Sequence, residues 1–175
     1  MNDSHLPNKF TERAELVIPE FGTSLPSLSL EMSNIKEGER RLIEARAVNG
    51  ATYADLEYSF NEGYREAKKN LSLIGYELNK ARKIQRRIKS EYLLDQYPEF
   101  IKEKKISDNT ANREAFLEKK EDYVAIQDRI DMLTAVESLL DGKVKVFENV
   151  CRYMRKEMDI LLRSGFTGNK FIGNK

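Results

Sequence analysis

The chain has 175 residues, 34% of them charged and 40% apolar, with nine glycines, four prolines, one cysteine and a formal net charge of +1. Charged residues exceed the usual share of about 25%, which suits long helices better than a thick sheet core. The lone Cys151 excludes an intrachain disulfide and a multi-thiolate metal centre. No apolar run reaches the roughly 18 residues of a membrane span, and the N-terminus carries no basic-then-apolar signal pattern, so the expectation is a cytoplasmic protein with no membrane contact (host cytoplasm, were it phage-encoded).

The near-neutral total conceals blocks of opposite sign. Residues 1–62 hold 11 acids against 6 bases, residues 63–105 hold 6 against 12, residues 106–141 hold 9 against 4, and residues 142–175 hold 3 against 8.

In chain order, residues 1–33 contain Pro7, Pro19 and Pro26 among several serines and threonines. Proline fixes φ and removes a donor, so this stretch reads as an extended arm or a partly ordered tail. Its apolar knots, Leu16-Val17-Ile18 and Leu25, Leu28 and Leu30, are more than a linker needs, and docking on the chain's own helices or on a neighbouring subunit accounts for them. His5, the only histidine, reads as a surface residue of the arm.

Helical periodicity begins at Asn34 with Ile35, Leu42 and Ala45, and Asn49-Gly50 signals a C-cap. Thr52 followed by Asp55 resembles a capping box that restarts the chain as a helix. Small or apolar residues then recur every three or four positions at Tyr53, Leu56, Phe60, Tyr64, Ala67, Leu71, Ile74, Leu78, Ala81, Ile84, Ile88 and Tyr92. Gly63 and Gly75 inside this run suggest close approach or bending rather than a break, and Pro98 is expected to end the helix. After a polar connection, Asp108, Asn109 and Thr110 are each competent N-caps for a short helix. A second seam follows at Ile126, Ile130, Leu133, Val136, Leu140, Val144, Phe147, Cys151, Met154, Met158 and Leu161, stopping at Ser164-Gly165 with Phe166 placed to pack back.

The pattern predicts an all-α protein: a long antiparallel helical hairpin, coiled-coil-like, with a short N-terminal helix and an extended N-terminal arm. The arm is residues 1–33; residues 34–175 form a single helical domain with helices at 34–48, 52–97, 110–120 and 122–163. Folding back near residue 102 sets the basic residues 80–89 beside Glu118, Glu121, Asp122 and Asp128, and Asp55, Glu57 and Glu62 beside Lys143 and Lys145. Apolar surface left over, including Leu16, Val17, Ile18, Phe166, Phe171 and Ile172, predicts a homo-oligomer.

The centre of the long helix is Lys80-Ala81-Arg82-Lys83-Ile84-Gln85-Arg86-Arg87-Ile88-Lys89. At about 100° per residue, Ala81, Ile84, Gln85 and Ile88 share one face, flanked by Arg82, Arg86 and Lys89 on one side and Lys80, Lys83 and Arg87 on the other. Non-specific binding of single-stranded DNA needs cations that track the backbone and rings on which any base can stack. Lys80, Arg82, Lys83, Arg86, Arg87, Lys89 and Tyr92 are therefore the candidate nucleic-acid-binding residues, with Tyr97 and Phe100 as further rings. The competing reading is an ion-paired, solvated face. There is no glycine-rich phosphate loop, no paired histidine and no nucleophile elbow, so no catalytic residue, metal site or cofactor is assigned and a non-enzymatic protein is expected.

The run from Lys80-Ala81-Arg82 through Arg86, Arg87, Lys89, Tyr92 and Tyr97, with a polar connection, a short helix and a last helix ending Asp159-Ile160-Leu161-Leu162-Arg163-Ser164-Gly165-Phe166 before Lys170-Phe171-Ile172, resembles the phage recombination mediator proteins of the UvsY type. The likeness covers roughly residues 60–172 and rests on pattern more than identity. It implies a small helical protein that assembles into rings, binds single-stranded DNA and helps load a RecA-like recombinase onto strands covered by single-strand binding protein. A Lys-x-Arg element with nearby aromatics is the family's DNA-binding signature; Lys80-Ala81-Arg82 matches it literally and Arg87-Ile88-Lys89 matches it by distance from Tyr92, and both stay open. The final turn matches only with its Ser and Arg exchanged, and the arm is longer than the family's. The alternative is a coiled-coil structural or assembly protein of a phage, a scaffold or adaptor whose charged bands register subunits.

Overall fold

The computed structural model describes residues 15–22 and 24–168, with side chains to residue 164. His5, Lys170, Phe171 and Ile172, and the side chain of Phe166, lie outside the described residues. The chain is mostly helical: β1 (Glu15–Ile18), β2 (Leu28–Glu31), α1 (Ser33–Arg40), a 3₁₀ segment (Arg41–Ala47), α2 (Tyr53–Asp95), α3 (Tyr97–Lys104), α4 (Thr110–Leu117) and α5 (Glu121–Gly168). None of the helices is long and apolar enough to cross a membrane among the described residues.

The described residues cluster into two compact units, one containing residues 15–16, 30–71 and 139–168, the other residues 17–22, 24–29 and 72–138. In the first, the N-terminal part of α2 and the C-terminal part of α5 run antiparallel, Glu57 meeting Arg155 at 3.3 Å and the Phe60 ring lying tilted against that of Phe147, 6.3 Å between centroids. Leu56, Phe60, Ala67, Leu140, Val144, Phe147, Cys151 and Met154 bury the expected seam. Gly63 answers the question its position raises: a Cβ there would sit 2.8 Å from Phe147 Cζ, and one at Gly38 of α1 would sit 2.6 Å from Phe147 Cε1. Two missing side chains thus admit one phenyl ring between α1 and α2. Gly75 has open space around it and needs no such account.

Helix α1 is tied to α2 by buried polar groups. The Glu66 carboxylate accepts from the Ile35 backbone N–H at 2.9 Å and from Asn34 Nδ2 at 3.1 Å, so a side chain of α2 satisfies one of the orphan donors of α1's first turn. Asn70 donates to the Glu31 carbonyl at 2.6 Å. The segment read as one helix over 34–48 tightens to 3₁₀ geometry at Arg41, then turns at Asn49, whose Oδ1 accepts from the N–H groups of Ala51 and Thr52. The capping box does not form as expected, because the Asp55 carboxylate is held by Arg41 at 2.8 Å.

In the second unit the same two helices again run antiparallel, with a Gln85–Gln127 side-chain hydrogen bond and Tyr92 Oη donating to Asp122 at 2.8 Å. Ile74, Leu78, Ala81, Ile88, Ile126, Ile130, Leu133 and Val136 fill the seam. The long helix ends just before Pro98, at Asp95, but the stretch read as a connection begins with a new helix, α3, and Pro98 occupies its first turn, where its missing N–H would be unpaired anyway. α3 ends at Lys105 in the left-handed region, φ 53°. Of the three candidate caps for α4, Asn109 does the capping, accepting from the Asn112 N–H at 2.9 Å. The arm contributes a two-stranded sheet rather than irregular chain, since Leu28, Ser29, Leu30 and Glu31 alternate as a strand requires. Arg129, buried on α5, donates to the carbonyls of Pro19 and Pro26 and fixes the turn between the strands. At the other end α5 runs through Gly165 to Gly168, so Gly165 is not the helix cap.

Candidate nucleic-acid interface

The basic residues lie on α2 within the second unit, and the burial pattern divides them as the 3.6-residue period requires. Ala81 and Ile88 are buried and Ile84 and Gln85 half-buried, so the seam faces α5. Arg82, Lys83, Arg86, Arg87 and Lys89 are exposed and Lys80 is half-buried.

The cross-helix ion pairs anticipated for this block are absent among the described residues. Lys80 pairs within its own helix with Glu77 at 3.1 Å, and Arg87 approaches Glu91, one turn on, at 3.8 Å with both side chains largely exposed. Arg82, Lys83, Arg86 and Lys89 reach no carboxylate; Arg86 Nε donates to the Arg82 carbonyl at 3.3 Å. The polar bridge between the two helices here is the neutral Gln85–Gln127 pair. The opposite end departs from expectation in the same way, with Glu57 on Arg155, Lys143 on Glu39 and Lys145 on Asp141. Exposed pairs such as Arg87–Glu91 are worth about 0–1 kcal/mol and hold few cations back from a polyanion.

The aromatic half of the expected site is not where the sequence suggested. Tyr92 is committed to the fold: its ring meets Phe116 edge-on at 6.5 Å, Lys120 Nζ lies 4.9 Å from its centroid, and its hydroxyl bonds Asp122. That hydrogen bond, with burial, pushes the phenol above its ordinary value. Tyr97 is buried with Phe116 and Leu117, and Phe100 packs against the same cluster, its centroid 5.0 Å from that of Phe116. Helix α4 closes over these rings, so none is free for a base.

An exposed ring close to the basic turns is Tyr76, 61% exposed, one turn before Lys80, whose Nζ lies 5.4 Å from its centroid. It falls off the packed seam, and it keeps helical phase with Lys80, Lys83 and Arg87.

Cys151 is buried on the seam, and burial pushes its thiol above the ordinary range, as a small packing residue requires. No group of three His, Cys, Asp or Glu side chains among the described residues is close enough to hold a metal ion. The chain matches no protein-family model, no curated protein and no solved structure.

Proposed function

We propose that the chain is a non-catalytic, single-stranded-DNA-binding protein that uses the exposed face of α2, acting as a recombination mediator that helps load a RecA-like recombinase in the cytoplasm. The observation that carries the binding step is that Arg82, Lys83, Arg86 and Lys89 are exposed on two adjoining flanks of one helix without a carboxylate partner. Like charges concentrated without compensation repel one another, and a polyanion that releases counterions is the chemistry that relieves them. The mediator role and the partners, a recombinase and single-strand binding protein, rest on the resemblance to UvsY-type proteins.

Assembly belongs to the same proposal. Leu139, Val146, Tyr153 and Ile160 on α5 are 40–50% exposed and recur every seven residues, a seam suited to a second helix. One protomer offers few phosphate contacts, and a homo-oligomer, a ring included, raises avidity without new contacts. The same stripe favours the second reading, a scaffold or adaptor that assembles and ignores nucleic acid. Fluorescence anisotropy of labelled oligo(dT) against salt separates them. Four to six neutralised phosphates predict log K falling with log salt at a slope of about −3 to −4; assembly without salt-sensitive binding would establish the scaffold instead.

A further inference from the structure

We infer that Tyr76 is the base-stacking residue of the single-strand site, with phosphates next to the stacked base on Lys83 and Arg87, along the face of α2 opposite its packed seam, and further phosphates on Arg82, Arg86 and Lys89 of the adjoining flank. This rests on the single-strand reading and adds to it a residue that spacing from the basic block alone did not select.

The ring is presented rather than packed. Tyr76 is 61% exposed, whereas Tyr92 and Tyr97, the aromatics that follow the basic turns, are held by Phe116 and its neighbours. Lys80 stands against the ring at 5.4 Å and is itself fixed by Glu77 at 3.1 Å. A cation so placed orders the ring and leaves its other face for a base. No side chain is needed at the adjacent Gly75, where a Cβ would meet nothing within 4 Å, so the approach on that side is open.

The phase of the helix does the rest. Counting about 100° per residue, Lys80, Lys83 and Arg87 lie within roughly 40° of the line through Tyr76. From Tyr76 to Arg87 the helix rises roughly 16 Å, room for no more than about five nucleotides at stacked spacing. That is the lower end of the site sizes that combine stacking rings with a cationic track. Lys83 is exposed and unpaired with any carboxylate among the described residues, and Arg87 gives up only its long contact with Glu91. Every base has a π-face, so the site takes single strands without reading their sequence, while a duplex, whose bases are already stacked, gains nothing from the ring.

The chain has no tryptophan, so Tyr76→Trp places its one tryptophan, which can be excited selectively over tyrosine, at the proposed contact. Titrating this variant with a 20-nucleotide oligo(dT) at low salt, while following both emission and the anisotropy of a labelled strand, should show saturable quenching on the same isotherm as binding. Tyr76→Ala should weaken binding roughly five- to a hundred-fold, the loss of one stacked base, with the salt slope unchanged because no charge is removed, and Tyr76→Phe should restore it. Binding by anisotropy with unchanged Trp emission, or Tyr76→Ala binding as tightly as wild type, would overturn the stacking assignment and leave strand binding standing. A wild-type chain that binds no oligo(dT) would overturn both.

Discussion

Reversing Arg82, Arg86 and Lys89 to glutamate together tests whether the flank they form is a binding surface or a structural one. Each side chain is exposed, and none pairs with a carboxylate. Within the helix the three sit at i, i+4 and i+7, so the wild type already carries like-charge neighbours worth a few tenths of a kcal/mol each. Reversal keeps that repulsion at the opposite sign, and glutamate's helix propensity is close to that of lysine and arginine. The net change in stability should stay within about 0.5 kcal/mol, or about 2 °C in Tm for a chain of this size. Binding should respond differently. Losing three phosphate contacts removes about 2 from a salt slope of about −3 to −4, and the new negative charges repel the strand, so affinity for oligo(dT) at low salt should fall at least tenfold. Circular dichroism melts and anisotropy titrations at several salt concentrations on one variant give both numbers. A Tm drop beyond about 5 °C with an unchanged salt slope would show that these cations stabilise the fold or assembly, and the binding argument would fail.

The two helical glycines should behave oppositely. Gly63→Ala drives a methyl into Phe147 and should lower Tm by several degrees, overpacking costing about 1–3 kcal/mol, whereas Gly75→Ala meets open space and should raise it by about 2 °C; equal effects in thermal melts would refute the wedge. Burial pushes the Glu66 carboxyl above its ordinary value, against the hydrogen bonds from Ile35 and Asn34. Because the folded state then holds the proton more tightly than the unfolded state, the stability this group contributes is full below the unfolded value and is lost as pH rises through the raised folded one. The Tm of Glu66→Gln relative to wild type should therefore climb on going from mildly acid to neutral pH, and a relative decline would show the sign to be wrong. Arg129→Ala should speed amide hydrogen exchange across residues 17–29, since it removes the donors to the Pro19 and Pro26 carbonyls; unchanged exchange there would show that the strands hold their turn unaided.

The apolar stripes were the most legible part of the sequence. From Leu56 to Ile88 and from Ile126 to Met154 the three-and-four spacing marked residues that do lie on packed seams, because in a helix burial follows period almost alone. Partners of charged and polar groups were much less legible, because they depend on which helix stands opposite and at what height. Asp55 read as part of a cap but is held by Arg41, and acids expected opposite residues 80–89 do not pair with them. The aromatic error has the same origin. Tyr92 looked like a platform because it follows the basic turns, and only the position of α4, with Phe116 and Lys120 against the ring, shows it to be packed. Tyr76 could have been found from spacing, being four, seven and eleven residues before Lys80, Lys83 and Arg87. In the arm, the prolines drew attention away from the Leu28–Glu31 alternation that forms β2.

Photocrosslinking tests the central claim most directly. An oligo(dT) carrying 5-iodouracil, bound at low salt and irradiated, should attach to residues 76–89 of α2, and the yield should fall as salt rises. Crosslinks confined to other segments, or none at concentrations where the chain assembles, would contradict a nucleic-acid interface on this helix.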